Sequence, residues 1–169
     1  MKREILHWPD ARLQAVAVQA RVDDATLALA GDMLETMYDA QGRGLAAPQV
    51  GVLTRVFVMD AAWKTGVAVP ETFINPEIIW RSAGLILGPE GCLSIPGVVA
   101  EVARAPEIIL RWVMLDGSIA AQKLTGFRAI CAQHEVDHLD GLLTLDHLSP
   151  QARAQAEAAV AVAVAVAVA

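Results

Sequence analysis

The sequence predicts an α+β fold: antiparallel β-sheets packed around a central helix, with a further helix near the C-terminal end. Three observations carry this. Runs rich in β-branched and aromatic residues at 55–60, 73–80, 107–115 and 119–124 read as strands, and Asp116-Gly117 between the last two is a hairpin signal. Between Thr125 as N-cap and Gly141 as stop, Phe127, Ile130, Cys131, His134 and His138 fall on one helical stripe. Ser149-Pro150 then sets an N-cap before a proline at the first helical position. The chain of 169 residues shows no linker and is read as one domain over 1–169.

Residues 1–22 read as a lead-in with one turn at Trp8-Pro9-Asp10. Asp23 or Asp24 caps a helix whose apolar face is assigned to Leu27, Leu34, Met37 and Tyr38, and which ends before Gly42. Gly42-Arg43-Gly44 follows, where two glycines allow unusual backbone angles or close approach of another backbone; with no helix directly after them, a dinucleotide fingerprint is not indicated. The strand at 73–80 is expected to be interrupted at Pro76, and Gly88-Pro89 to form a turn before Glu90-Gly91-Cys92. Residues 158–169 contain only Ala and Val: a low-complexity tail without a polar face, compatible with a frayed helix or a packing segment.

Composition narrows the function. The net charge is −6 and no Lys/Arg cluster stands out, so direct nucleic-acid binding is not predicted. The Ala/Val tail is too short to span a bilayer, so membrane binding is not predicted either. The first residues show neither an apolar signal core nor a transit-peptide pattern, which predicts a cytoplasmic protein. The two cysteines, Cys92 and Cys131, are then ligands or core thiols rather than a disulfide.

Gln133-His134-Glu135-Val136-Asp137-His138 carries the chemistry. Histidines four apart on a helix lie one turn apart on the same face, placed to ligate one metal ion. Glu135 projects from the edge of that face, suited to a water on the metal rather than to the metal itself. Two core histidines bonded to backbone are the alternative, but burying two imidazoles and a carboxylate without a metal is costly. A catalytic metal needs at least a third ligand. Downstream, only Glu157 is available for a thermolysin-like arrangement, and Thr144 stands where a metzincin has its third histidine. Upstream, Cys92 sits on a glycine-containing turn, and is either a thiolate ligand or a small buried hydrophobe.

Three segments together resemble the peptide deformylase family. Gly42-Arg43-Gly44-Leu45-Ala46-Ala47-Pro48-Gln49 is similar to its first motif, Glu90-Gly91-Cys92-Leu93-Ser94 to its second, and Gln133–His138 to its third, in the family's order and spacing. The resemblance implies a hydrolase that removes the N-terminal formyl group from nascent polypeptides beginning with formyl-methionine and releases formate, with ribosome proximity a corollary. It implies a metal held by Cys92, His134 and His138, with Fe(II) as the usual native ion and Zn, Ni or Co as substitutes. Glu135 is then the general base, and the Gln49 amide and Leu93 backbone N–H stabilise charge on the formyl oxygen. Gly42, Arg43, Gly44 and Gly91 line the substrate, which pairs as a strand. Glu90, Arg104 and Asp137 support the metal-binding residues from behind.

Three positions depart from the family pattern. Arg43 and Gly88 stand where aliphatic pocket walls are usual, and Val99 where an arginine is common. They bear on side-chain preference, not on the catalytic set. Two other classes remain in view. A metallopeptidase would cleave unformylated peptides internally, and a non-catalytic binding protein of this fold would release no formate.

Overall fold

The computed structural model describes the backbone of residues 1–168 and the side chains through Val164. Its elements, in order, are α1 (Asp24–Asp39), β1 (Gly44–Ala46), β2 (Val56–Met59), β3 (Glu71–Arg81), β4 (Ile86–Cys92), β5 (Ile95–Arg104), β6 (Glu107–Val113), β7 (Ile119–Thr125), α2 (Gly126–Leu139) and α3 (Pro150–Val168). Strands β1-β2-β3-β6-β7 form one antiparallel sheet, and β4 and β5 form a separate hairpin.

Alternation within the short strand β2 explains how this part of the large sheet is buried on both sides. Phe57 and Met59 face a cluster with Phe73, Leu110, Ala132 and Val136, on the α2 side. Val56 and Val58 face the opposite way, toward Met33, Met37 and Leu45 on the α1 side. Phe57 and Phe73 stack at 4.4 Å between centroids. A third cluster joins Leu13 of the lead-in, Ile95, Leu145, Ala156 and Val160, and seats α3 against β5.

Helix α1 starts at Asp23, whose carboxylate accepts the Thr26 N–H at 2.9 Å. Its buried face is Leu29, Ala30, Met33 and Met37; the expected Leu27 is exposed instead. The correction follows from period: a stripe through 26, 29, 30, 33 and 37 fits a helix lying flat on β2, and Leu27 falls outside it. At the other end of the sequence, α3 continues through the Ala/Val tail. Ala156, Val160 and partly buried Val164 recur every four residues along one face, so the alternating tail contains a helical stripe. The side chains at 165–169 lie outside the described residues.

Two expected breaks in the strands are not breaks. Residues 71–81 run as one strand through Pro76, with a register irregularity between Ile74 and Glu77 and a positive φ at Asn75. Gly88-Pro89 is not a turn; both residues lie within β4. β4 pairs only with β5, and an edge strand tolerates a proline that donates no ladder hydrogen bond.

Helix α2 makes contact with both ends of the large sheet. Thr125 precedes it without a side-chain capping bond. Gly141 follows it at φ +75, where a Cβ would lie 2.6 Å from the Gln14 carbonyl oxygen. This close approach fixes the end of the helix against the lead-in. No helix among the described residues is long and apolar enough to cross a membrane.

Candidate metal centre and active site

The α2 stripe predicted from the sequence turns out to face a cleft rather than the sheet. Ala129, Ala132, Val136 and Leu139 fill the core, while Phe127, Ile130, Cys131, His134 and Glu135 line a cleft of about 520 Å³. The opposite wall comes from β1, β4 and the turn at Leu93-Ser94 that joins β4 to β5. The cleft thus lies where the two sheets meet over the helix.

Within it, Cys92 from the end of β4 meets the two histidines. Cys92 Sγ is 3.3 Å from His138 Nε2, which is 3.2 Å from His134 Nε2, and all three ligand atoms lie within 4.8 Å of one another. A tetrahedral ion with ordinary Cys and His bond lengths would space its ligands at about 3.3 Å for N···N and about 3.6 Å for S···N. The donor set fits such an ion. Cys131, though it lines the same cleft, is not one of the three.

The surrounding groups orient that set. His134 Nδ1 is 2.9 Å from Glu90 Oε2, leaving Nε2 for a ligand. Arg104 grips Glu90 with two hydrogen bonds, at 2.8 and 3.0 Å, and also donates to Asp137. Asp137 therefore braces the arginine and His147, not a histidine of the trio. His138 Nδ1 is buried without a partner. Electrostatics point the same way. Burial works against charge on His134, but Cys92 and Glu90 outweigh it and raise its pKa; burial and the neighbouring His134 lower that of His138. The two imidazoles are thus driven apart in proton affinity by their neighbours, chiefly Cys92, Glu90 and each other. Glu90, despite burial that would raise it, is held down to about 2 by His134 and Arg104.

Glu135 is 3% exposed and its Oε2 has no partner. Burial pushes it up to about 7. Gly44 makes room for it: a Cβ there would lie 2.8 Å from Cys131 Sγ and closer still to Glu135 Oε1. Gln49 follows β1 in a short 3-10 turn. Its Oε1 accepts the Ala46 N–H at 2.9 Å, which turns its Nε2 toward Ser94 Oγ at 3.1 Å and Cys92 Sγ at 3.6 Å. Leu93 and Gly91 line the cleft beside Cys92, as do Arg43 and Gly42, the latter close against the Leu93 side chain. Val99 is 70% exposed on β5 and does not line the cleft.

The chain matches a known family profile, described as polypeptide deformylase, over residues 2–154. The chain belongs to the polypeptide deformylase family. It is 53% identical over 151 residues to a peptide deformylase of Alkalilimnicola ehrlichii, covering 89% of this chain and 84% of the relative. Among solved structures, a peptide deformylase of Ehrlichia chaffeensis superposes with a TM-score of 0.92 at 33% identity, with complete coverage of both chains. One from Legionella pneumophila gives 0.88 at 38% identity, covering 95% of this chain and 94% of that one. The Ehrlichia chaffeensis enzyme has also been solved in complex with actinonin. Like its relatives, this deformylase-family chain is a hydrolase, and its family is metal-dependent.

Sequence reasoning missed three contributors. Ser94 anchors Gln49, and His147 shares Asp137. The lead-in holds both walls, with Leu6 N–H donating to the Gln49 carbonyl and Trp8 N–H to that of Ser94. Ser94 closes the second motif but carries no residue type that marks its partner 45 positions away. His147 makes one side-chain contact ten residues from Asp137, and the lead-in acts through two backbone N–H groups, which leave no side-chain signature. The buried Arg104–Glu90 pair carries a direct prediction. Arg104→Leu leaves Glu90 and Asp137 without their counter-charge and is expected to lower stability by about 3–5 kcal/mol. The shift in the denaturant midpoint measures it, and a change below about 1 kcal/mol contradicts the pairing.

Proposed function

We propose that Cys92, His134 and His138 hold one divalent metal ion at which this chain deformylates N-formyl peptides, with Glu135 as general base. The observation that carries the reading is the convergence of a thiolate and two imidazole nitrogens beside a buried carboxylate with an unpartnered oxygen. A sulfur and two nitrogens suit a divalent transition ion; Fe(II) is proposed as the native metal, with Zn, Ni or Co as substitutes. When bound, that ion supplies Lewis-acid polarisation and activates water.

The chain's own groups do the rest. Glu135 Oε2 takes a proton from the attacking water and returns it to the leaving amine, and its position near 7 suits both transfers at neutral pH. Gln49 Nε2, locked by Ala46 and Ser94, donates toward the formyl oxygen as charge builds on it; the Leu93 backbone N–H is proposed as the second donor. Gly42, Arg43, Gly44 and Gly91 flank the substrate, between edge strands β1 and β4, where an extended peptide can add main-chain pairs. Attack on the formyl carbon breaks its bond to nitrogen and leaves formate and a free α-amine.

The proposed substrates are nascent chains beginning with formyl-methionine, met near the ribosome in the cytoplasm, since the formylated residue is the first to emerge. Residues 1–169 are proposed to act as one domain. A metal-loaded sample given formyl-Met-Ala-Ser and unformylated Met-Ala-Ser tests the activity. Formate is expected from the first and no cleavage from either backbone; internal cleavage without formate would reverse the assignment to a peptidase.

A further inference from the structure

Two positive side chains on the cleft take no part in the chemistry above. Arg43 lies between Gly42 and Gly44, with its guanidinium carbon 4.8 Å from the centroid of the Phe127 ring, and both side chains line the cleft. Its Nε is buried without a hydrogen-bond partner. Lys64 lines the same cleft from the loop after β2. Among the described residues, neither forms an ion pair with a carboxylate. The cleft's acidic groups do not neutralise them, because Glu90 is held by Arg104 and His134 and Glu135 packs against Gly44 deeper in.

The loop bearing Lys64 is built into this place. Fully buried Asp60 accepts hydrogen bonds from Tyr38 Oη at 2.7 Å, Trp63 N–H at 3.0 Å and Val69 N–H at 2.8 Å. The Trp63 indole N–H then donates to the Gly42 carbonyl at 2.8 Å, and the Lys64 ammonium donates to that of Gln41. Lys64 is thereby clasped to the segment that carries Arg43. Arg43 is likewise held in place, by the cation–π contact of its guanidinium with Phe127. Two positive groups are thus held at one cleft, in a chain whose net charge is −6.

We propose that Arg43 and Lys64 select formylated peptides carrying Asp or Glu at the second or third residue. The inference rests on the deformylase reading. An extended substrate with its formyl end at Cys92, His134 and His138 advances about 3.3 Å per residue between β1 and β4, so its second and third residues follow the reacting end toward the cleft rim. A carboxylate there completes charge-assisted hydrogen bonds that the free protein leaves unmade. An ammonium at the same place meets like charge.

The test compares kcat/KM for formate release from formyl-Met-Glu-Ser and formyl-Met-Lys-Ser, and from the pair with Glu or Lys at the third residue. Wild type, Arg43→Ile, Lys64→Ser, the double variant and Arg43→Lys are measured at low and high salt, each metal-loaded. Wild type is expected to favour Glu over Lys by about tenfold at low salt, in at least one of the two positions, and less at high salt. The ratio falls toward one in the double variant, and Arg43→Lys, which keeps the charge, retains most of it. A ratio near one in wild type, or an equal ratio in wild type and double variant, overturns the proposal. Failure of the deformylase reading looks different: no formate from any peptide, formyl-Met-Ala-Ser included.

Discussion

Glu135→Gln is expected to keep its metal and to lose turnover by roughly 10²-fold or more, the range by which a positioned acid–base group contributes. The side chain is 3% exposed, and it packs where Gly44 has no Cβ, so the isosteric amide fits the same space. What changes is proton affinity. The carboxylate accepts a proton at about 7, whereas an amide has none to exchange near neutral pH. Formate release measures the loss, and elemental analysis measures the metal. A variant that loses its metal along with its activity would make Glu135 a ligand.

Cys92→Ala is expected to weaken metal binding by on the order of 10²- to 10³-fold, one ligand's share of the binding free energy of a structural zinc site. The two remaining histidine nitrogens lie 3.2 Å apart and still face each other, so the site is depleted rather than dismantled. Activity should therefore return in part at high metal concentration, which a folding defect would not allow. Full, stoichiometric metal in Cys92→Ala at ordinary concentrations would remove the thiolate from the site. His138→Ala should behave alike, because His138 Nε2 lies between Cys92 Sγ and His134 Nε2.

How far the sequence foretold this arrangement depends on the range of each interaction. The α2 helix was legible because its period, its stop at Gly141 and its two histidines are all local signals. The identity of its two faces was not. Cys131 reads as a pocket wall and is one, but Phe127 and Ile130 on the same stripe carry no local sign that they wall the cleft too, while small Ala129 and Ala132 face the sheet. Strand β5 was missed because Pro96-Gly97 interrupts its start and the buried position at its end is Arg104, which breaks an apolar alternation. That arginine is buried only because Glu90 and Asp137 face it, a long-range fact. Strand β1 is three residues long, too short to carry a period. The Ala/Val tail left a helix and a packing segment both open, because a four-residue stripe is contained within a period of two; the structure gives the helix.

The central claim is that one sulfur and two imidazoles from Cys92, His134 and His138 hold the ion beside Glu135. X-ray absorption at the zinc edge of the zinc-loaded protein tests it most directly. The expected shell has one sulfur at about 2.3 Å and nitrogen or oxygen neighbours at about 2.0–2.2 Å, with the sulfur absent in Cys92→Ala. A shell without sulfur in wild type, or one whose sulfur survives Cys92→Ala, would contradict it.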